Sequence, residues 1–339
     1  MNRMFTVRIR LGLGLLLGGM LIIPTLRGQD PPIVIAHRGA SGYLPEHTLP
    51  AVAMAHAQGA EYIEQDVVLT KDDVPIVLHD IYLEAVTDVS QVFPQRARQD
   101  GRYHALDFTL QEIQQLRVSE RRDLKTREPV FPDRFPVFQA TFRVPTLREE
   151  IDLIQGLNKS SGRTAGIYVE IKHPGVHRQV GKDISQIVLQ QLHQAGYQDQ
   201  QDLAFVQCFD SLETRRMREE LGSRLRLVQL IGDGDDDAEL RTPAGLKAIA
   251  EYANAIGPDL NCVLTRDDES GSGRPTSLVT WAHAENLQVH PYTVRADDLP
   301  PGIASSLNDL VQQLVDAQVD GMFADFPDKT RLAIQQSKQ

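Results

Sequence analysis

A closed (β/α)8 TIM barrel, in the α/β class, with a long insertion near the C-terminal face of its strands, is the fold this chain predicts. Three observations predict it. Short β-rich apolar segments alternate with longer segments of helical period, the pattern of a parallel sheet wrapped by helices. The parallel strands that can be placed number eight, which is what a closed barrel of about this length requires. The charged residues and histidines that interrupt the apolar pattern fall at the C-terminal ends of those strands, where barrel enzymes assemble their sites.

The chain opens with Arg3, Arg8 and Arg10, an apolar run from Leu11 to Ile23, and a small residue at Gly28. This is the pattern of a secretory signal peptide, residues 1–28, although Leu26 and Gly28 match the small-x-small cleavage site poorly. The run is shorter than the ~20 apolar residues a membrane span needs. An exported protein, periplasmic or secreted, with no stable membrane span after processing, is therefore expected, and residues 29–339 form the barrel. Forty-six acidic residues against 35 Lys and Arg give a net charge of −11. Nucleic acid and anionic membrane surfaces are excluded as general partners, because no basic field exists to recruit them. Cys208 and Cys262 end apolar segments and are expected to be unpaired core thiols.

The expected strands run over 33–36, 62–66, 167–171, 204–208, 226–230, 255–259, 288–292 and 321–324. Between the first two, Thr48 caps a helix whose Leu49, Val52, Ala53, His56 and Ala57 form an i, i+3, i+4 stripe ending at Gly59. Residues 212–221, 243–252, 278–284 and 307–317 read likewise. A ninth strand, 75–79, follows the second too closely for a parallel crossover, so an antiparallel hairpin is expected. A two-residue Asp72-Asp73 turn would pair residues whose numbers sum to 145 and set Asp66 opposite His79. Residues 81–145 interrupt the alternation and contain FPDRFPVFQATF, which has neither period. An insertion at this end is either a lid or binding loop or a solvated embellishment. As a lid, its residues 95–140 could be deleted with the barrel still folded.

Side chains alternate along a strand, so Glu64 and Asp66 of YIEQD share a side, as do Glu170 and Lys172 of VEIK. His37 and Arg38 follow the first strand and His79 ends the ninth. Carboxylates on a buried strand must be paired, protonated or metal-bound. Three of them without a thiolate specify a hard cation, Ca2+ or Mg2+, rather than zinc. Arg38 and Lys172 add a planar fork and a point charge suited to phosphate oxygens, and the two histidines a general base and a general acid. Jointly these residues point to metal-assisted phosphoryl chemistry.

HRGASGYLPEHT, EQDVVLTKDD, VLHD, VEIK, VQCFDSLETRRM, VHPYTVR and DGMFADFPDK together resemble the glycerophosphodiester phosphodiesterases, in particular their bacterial periplasmic branch. The likeness runs from about residue 33 to the end. It implies the (β/α)8 barrel and Ca2+-dependent hydrolysis of small glycerophosphodiesters to sn-glycerol 3-phosphate and an alcohol. By the same resemblance Glu64, Asp66 and Glu170 match the metal ligands, His37 and His79 the catalytic pair, and Arg38 and Lys172 the phosphate-binding positions. Many relatives carry tryptophan where this chain has Tyr292 and threonine where it has Ala324. Tyr292 keeps an aromatic face and adds a hydroxyl on the glycerol side. Gln207 and Phe209 are expected to line the glycerol pocket, with core packing the alternative for Phe209. Two other activities remain open: a phosphodiesterase acting on lysophospholipids or phosphoinositides, and an exported binding or adhesion protein on an inherited barrel. His47, His56, His173 and His177 are expected to be solvated, as is the acidic run Asp233 to Asp237, which lacks the position-12 glutamate of a calcium loop.

Overall fold

The computed structural model of the protein describes Met1, residues 31–266 and residues 273–337. The signal-peptide reading of residues 1–28 lies outside the described residues, Met1 apart. Eight parallel strands form the barrel wall: β1 (Ile33–Ala36), β2 (Tyr62–Leu69), β4 (Gly166–Ile171), β5 (Ala204–Cys208), β6 (Arg226–Ile231), β7 (Ala255–Pro258), β10 (Gln288–Val289) and β11 (Gly321–Ala324). β3 (Pro75–Val77) pairs antiparallel with β2, and β8 (Leu264–Arg266) with β9 (Gly273–Pro275) forms a small hairpin between β7 and β10 that the sequence reading did not anticipate. The wall runs β10-β7-β6-β5-β4-β2-β1-β11. The seam between β10 and β11 is carried by separate bonds: the Asp320 amide donates to the Val289 carbonyl (3.0 Å), the Phe323 amide to Pro291 (3.0 Å) and the Val294 amide to Phe323 (2.8 Å). Pro291 has no amide to give to a ladder, so the strand expected over 288–292 shortens to two residues and resumes as isolated bridges at Tyr292 and Val294.

The first helix covers Leu49–Gln58, with the Thr48 hydroxyl accepting the Ala51 amide and Gly59 in the left-handed conformation at its end. Its buried face is Ala51, Val52, Ala55 and His56; Ala57, expected on that face, is exposed. Helices Ser211–Glu219, Pro243–Ile249, Leu278–Ala284 and Leu307–Asp316 fall where the period placed them, most with slightly earlier ends. Among the described residues no helix is long and apolar enough to cross a membrane. Cys208 and Cys262 are both free and buried.

The β2–β3 hairpin departs from the expected register. Val67 faces Val77 and Val68 faces Ile76, so paired numbers sum to 144 and Asp66 stands opposite Leu78, whose amide it accepts at 2.9 Å. The loop is three residues long, because Asp73 adopts a left-handed conformation (φ 64°) that the short polar side chain tolerates. This register puts Val68, Ile76 and Leu78 into one cluster, whereas Val67, Leu69 and Val77 join the main core. A one-residue slip would exchange these faces.

Residues 81–145 contain short turns of helix and isolated bridges, yet they have a core. Leu83, Val89, Phe108, Ile113 and Leu116 are fully buried and pack on Val68, Ile76 and Leu78. From Ile81 to Val118 the segment is therefore no solvated embellishment, since its apolar interior is continuous with the hairpin that rises from the wall; residues 121–140, with most of the Phe- and Pro-containing stretch, are half-buried or exposed.

Candidate active site

Inward parity builds the site from the bottom up. On the inner face of the wall, Ile35, Tyr62, Tyr168, Phe205, Val228, Ala255 and Phe323 form one buried cluster. The Tyr168 and Phe205 rings stack at 4.7 Å, Phe323 meets Tyr168 edge-on at 5.0 Å, and the Tyr168 hydroxyl is 2.9 Å from His290 Nδ1. Two residues further along the same strands, on the same side, stand His37, Glu64, Glu170, Gln207, Leu230 and Asp325. The aromatic layer is a floor and the polar layer stands on it.

Above the floor lies a pocket of roughly 520 Å³, open mouth included, lined by His37, Arg38, Glu64, Asp66, His79, Glu170, Lys172, Gln207, Phe209 and Tyr292, together with Leu230, Thr293, Arg295 and Phe323. Each of the ten site residues expected from the sequence, His37, Arg38, Glu64, Asp66, His79, Glu170, Lys172, Gln207, Phe209 and Tyr292, is brought to this one place. Gln207 is buried, and its Oε1 has no hydrogen-bond partner in the protein. Phe209 is 42% exposed and meets the Tyr292 ring edge-on at 5.9 Å, so it lies at the mouth and not in the core. The Tyr292 hydroxyl donates to the Ile231 carbonyl at 3.2 Å.

His37 and Arg38 leave β1 through a sharp turn. The His37 amide still donates to the Ala324 carbonyl (3.0 Å), after which Arg38 is left-handed (φ 58°). Its amide donates to Glu64 Oε2 (2.7 Å), and its guanidinium reaches Glu46 Oε2 (3.1 Å) and Asp66 Oδ2 (3.5 Å). Gly39 follows at φ +81°, and a Cβ there would stand 2.8 Å from the backbone of Ala51, so glycine is required for the turn to rest on the first helix.

Each histidine is backed by a carboxylate. His37 Nδ1 is 2.6 Å from Asp325 Oδ1, and His79 Nδ1 is 2.7 Å from Asp80 Oδ1. A carboxylate only accepts, so both Nδ1 atoms carry the proton and both Nε2 atoms remain for chemistry. Burial, reinforced by Arg38, lowers both histidines from the usual 6.5 to about 4, against Asp325 for His37 and Asp66 for His79. The free protein therefore holds both rings neutral near pH 7. Asp66 pulls His79 toward the protonated form, but burial and Arg38 outweigh it.

Glu64, Asp66 and Glu170 are buried side by side. Burial, with Asp66 and Glu170 next to it, lifts Glu64 well above the usual carboxylate range. Burial pushes Glu170 up to about 7, with Lys172 opposing and Asp66 adding to the rise. Burial would raise Asp66 too, but Lys172, His79 and His47 hold it well below the usual range. Lys172 Nζ sits 2.8 Å from Glu170 and 3.5 Å from Asp66. Asp66 Oδ1 is buried with no hydrogen-bond partner. Mutually repelling carboxylates and an oxygen that has no hydrogen bond and only a loose ion pair with Lys172 fit a hard cation, which would let all three ionise together.

Donor atoms of His47, Glu64 and Asp66 lie within 4.8 Å of one another, which makes them a possible metal site. His47, expected to be solvated, is 3% exposed with Nε2 2.7 Å from Asp66 Oδ2. His56 and His177 are buried as well, the first bonded to Asn158 and the second accepting the Leu69 amide; only His173 and the Asp233 to Asp236 turn are exposed as expected, with Asp237 half-buried. The sequence reading also missed Asp325, Asp80 and Glu46. Asp325 was within reach: it lies two residues beyond Phe323 on the inner face of the last strand, the rule that had found Glu64 and Glu170.

Fold and site together define a TIM-barrel enzyme of phosphodiester chemistry. The model of the glycerophosphoryl diester phosphodiesterase family matches residues 37–329. A glycerophosphodiester phosphodiesterase of Haemophilus influenzae is 40% identical over 88% of this chain and 89% of its own, and one of Treponema pallidum is 35% identical over 87% and 90%. The structure of an Oleispira antarctica phosphodiesterase in complex with the product sn-glycerol-3-phosphate superposes with a TM-score of 0.62 at 20% identity, covering 90% of this chain and 97% of that one. The chain belongs to the glycerophosphoryl diester phosphodiesterase family.

Proposed function

We propose that the protein hydrolyses glycerophosphodiesters to sn-glycerol 3-phosphate and an alcohol with the help of a bound Ca2+. The observation that carries this reading is the pocket itself, where two neutral histidines, each oriented by a carboxylate, face Arg38, Lys172 and three buried carboxylates. Glu64, Asp66 and Glu170 would hold the cation, with His47 bonded to Asp66 and fixing its orientation. When bound, the ion neutralises charge on the phosphoryl oxygens. Arg38 and Lys172 orient the diester by its non-bridging oxygens. His37, neutral with Nε2 unprotonated, takes the proton of the attacking hydroxyl, either of water, which gives glycerol 3-phosphate directly, or of the glycerol 2-position, which gives a cyclic phosphate that a water molecule then opens to glycerol 3-phosphate. His79 protonates the departing alkoxide. Its low affinity for a proton in the free protein is offset as the anionic phosphate arrives beside it. Gln207, Phe209 and Tyr292 form the glycerol side of the pocket, and export of the chain follows from its first 28 residues.

Release of glycerol 3-phosphate from glycerophosphocholine, followed with and without chelator, tests the reading. Chelation is expected to abolish turnover and added Ca2+ to restore it. Full activity of the metal-free protein, or failure to release glycerol 3-phosphate from any head-group diester, would overturn it.

A further inference from the structure

The two carboxylates behind the histidines are not held by the barrel alone. Asp325 Oδ2 accepts from Arg134 Nη2 at 2.7 Å, and Asp80 Oδ2 accepts from Arg121 Nη1 at 2.7 Å. Both arginines belong to the inserted segment 81–145. The Arg134 side chain is only 5% exposed; it grips Asp297 with a second pair of bonds (2.8 and 3.0 Å) and lies 3.7 Å from the Phe131 ring centre. Arg121 closes a two-toothed fork on Glu46 (2.6 and 3.0 Å). A planar guanidinium can serve two carboxylates at fixed angles, which an ammonium cannot.

We propose that the inserted segment is a positioning device for the reaction: through Arg134 on Asp325 and Arg121 on Asp80 it fixes the orientation of both histidines. The proposal rests on the functional reading above and extends it to residues that do not touch the substrate. A ring held at one nitrogen keeps its other nitrogen aimed only as well as the supporting carboxylate is itself held. A lid on a hinge would have to break these sheltered ion pairs on opening. They hold the segment closed over the rim in a fixed pose.

The proposal has a signature that loss of stability alone would not produce. Arg134 acts through His37, the base, so its loss should lower kcat on every diester. Arg121 acts through His79, the acid, so its loss should show on glycerophosphocholine and be muted on a nitrophenyl diester, whose leaving group hardly needs a proton. The test measures kcat and KM of Arg134→Met, Arg121→Met, Arg134→Lys and Arg121→Lys on both diesters, beside His37→Ala and His79→Ala. The ratio of kcat values between the two diesters cancels changes in handling of the phosphate they share. We expect about a tenfold loss of kcat for the Met variants, on both diesters for Arg134 and on the choline diester alone for Arg121, with smaller losses of the same pattern for the Lys variants. Arg98→Met, which removes an exposed pair with Asp107 in the same segment, should match the parent. If a Met variant does not fold, its Lys counterpart decides. Parent-like kcat in the arginine variants on glycerophosphocholine, where both histidine variants are inactive, overturns the clamp and leaves the functional reading standing. Equal loss on both diesters for Arg121 also overturns it, whereas His37→Ala and His79→Ala that both turn over glycerophosphocholine like the parent overturn both.

Discussion

At the scale of single residues the two histidines carry the most testable contrast. If His79 is the acid, His79→Ala should retain much more relative activity on a nitrophenyl diester than on glycerophosphocholine, whereas His37→Ala should lose both alike. Steady-state rates of the two variants on the two substrates decide it, and the opposite pattern reverses the roles. The pH profile follows from the lowered His37. A base that binds its proton near pH 4 stays competent at every higher pH, so the acid limb of kcat/KM should fall near pH 4 and not near 6.5. In enzyme saturated with Ca2+, which keeps Glu64 and Glu170 ionised, a limb at 6.5 would show that the Asp325 charge outweighs burial at His37. Much of the site was legible at this scale because strand alternation is a strict rule: Glu64 with Asp66, and Glu170 with Lys172, follow from it. His47 was not legible. Its contact with Asp66 depends on how the loop after β1 folds over the tip of β2, and no spacing of residues encodes that.

At the scale of elements, the hairpin and the inserted segment show where reading the pattern stops. The antiparallel pairing of β3 could be argued from the shortness of the connection, but the register turned on one left-handed residue, Asp73, in a loop one residue longer than assumed. In the insertion the apolar residues obey neither period, because they come from turns and bridges, so its core could not be seen in advance. Once seen, that core changes an expectation. Deleting residues 95–140 would strip the cover from Val68, Ile76 and Leu78, all of which are buried. Each large apolar side chain returned to water costs about 1.5–3 kcal/mol. Denaturant melts should therefore show a deletion variant that is strongly destabilised or unfolded. A variant as stable as the parent would mean that the hairpin closes over its own apolar face.

At the scale of the whole molecule, the eightfold alternation was readable, whereas the weakness of the β10–β11 seam was not, since it comes from a proline at the point of closure. Asp320 compensates for part of it: its Oδ2 accepts the Val289 amide at 2.8 Å and pairs with His283 Nε2 at 2.9 Å. The Asp320 bond and charge raise His283, and the same partner together with the Val289 amide lowers Asp320 in spite of its burial. A raised histidine stabilises fully below its unfolded value of ~6.5 and loses that contribution as pH climbs through its folded value; a lowered aspartate stabilises above ~3.9 and loses it as pH falls. The pair should therefore contribute most between about pH 4 and 6.5. His283→Ala is expected to cost about 0.2–1 kcal/mol at pH 5.5 and clearly less at pH 9. Melts at the two pH values check this, and a difference independent of pH would remove the ion pair from the account.

The aromatic floor has a consequence for traffic. Tyr168, Phe205, Ile35 and Phe323 are buried together beneath the pocket, so substrate and products pass by the rim above them. In a diester seated end-on against that floor, one fragment would lie between the other and the rim. The half nearer the mouth departs first, and the half lodged deeper holds the chamber shut to the next substrate until it too has gone. The deeper fragment should accordingly act as a competitive inhibitor of the reaction that produces it, and the shallower one should not. Adding each product separately to initial-rate assays would reveal which half of the molecule goes in head first.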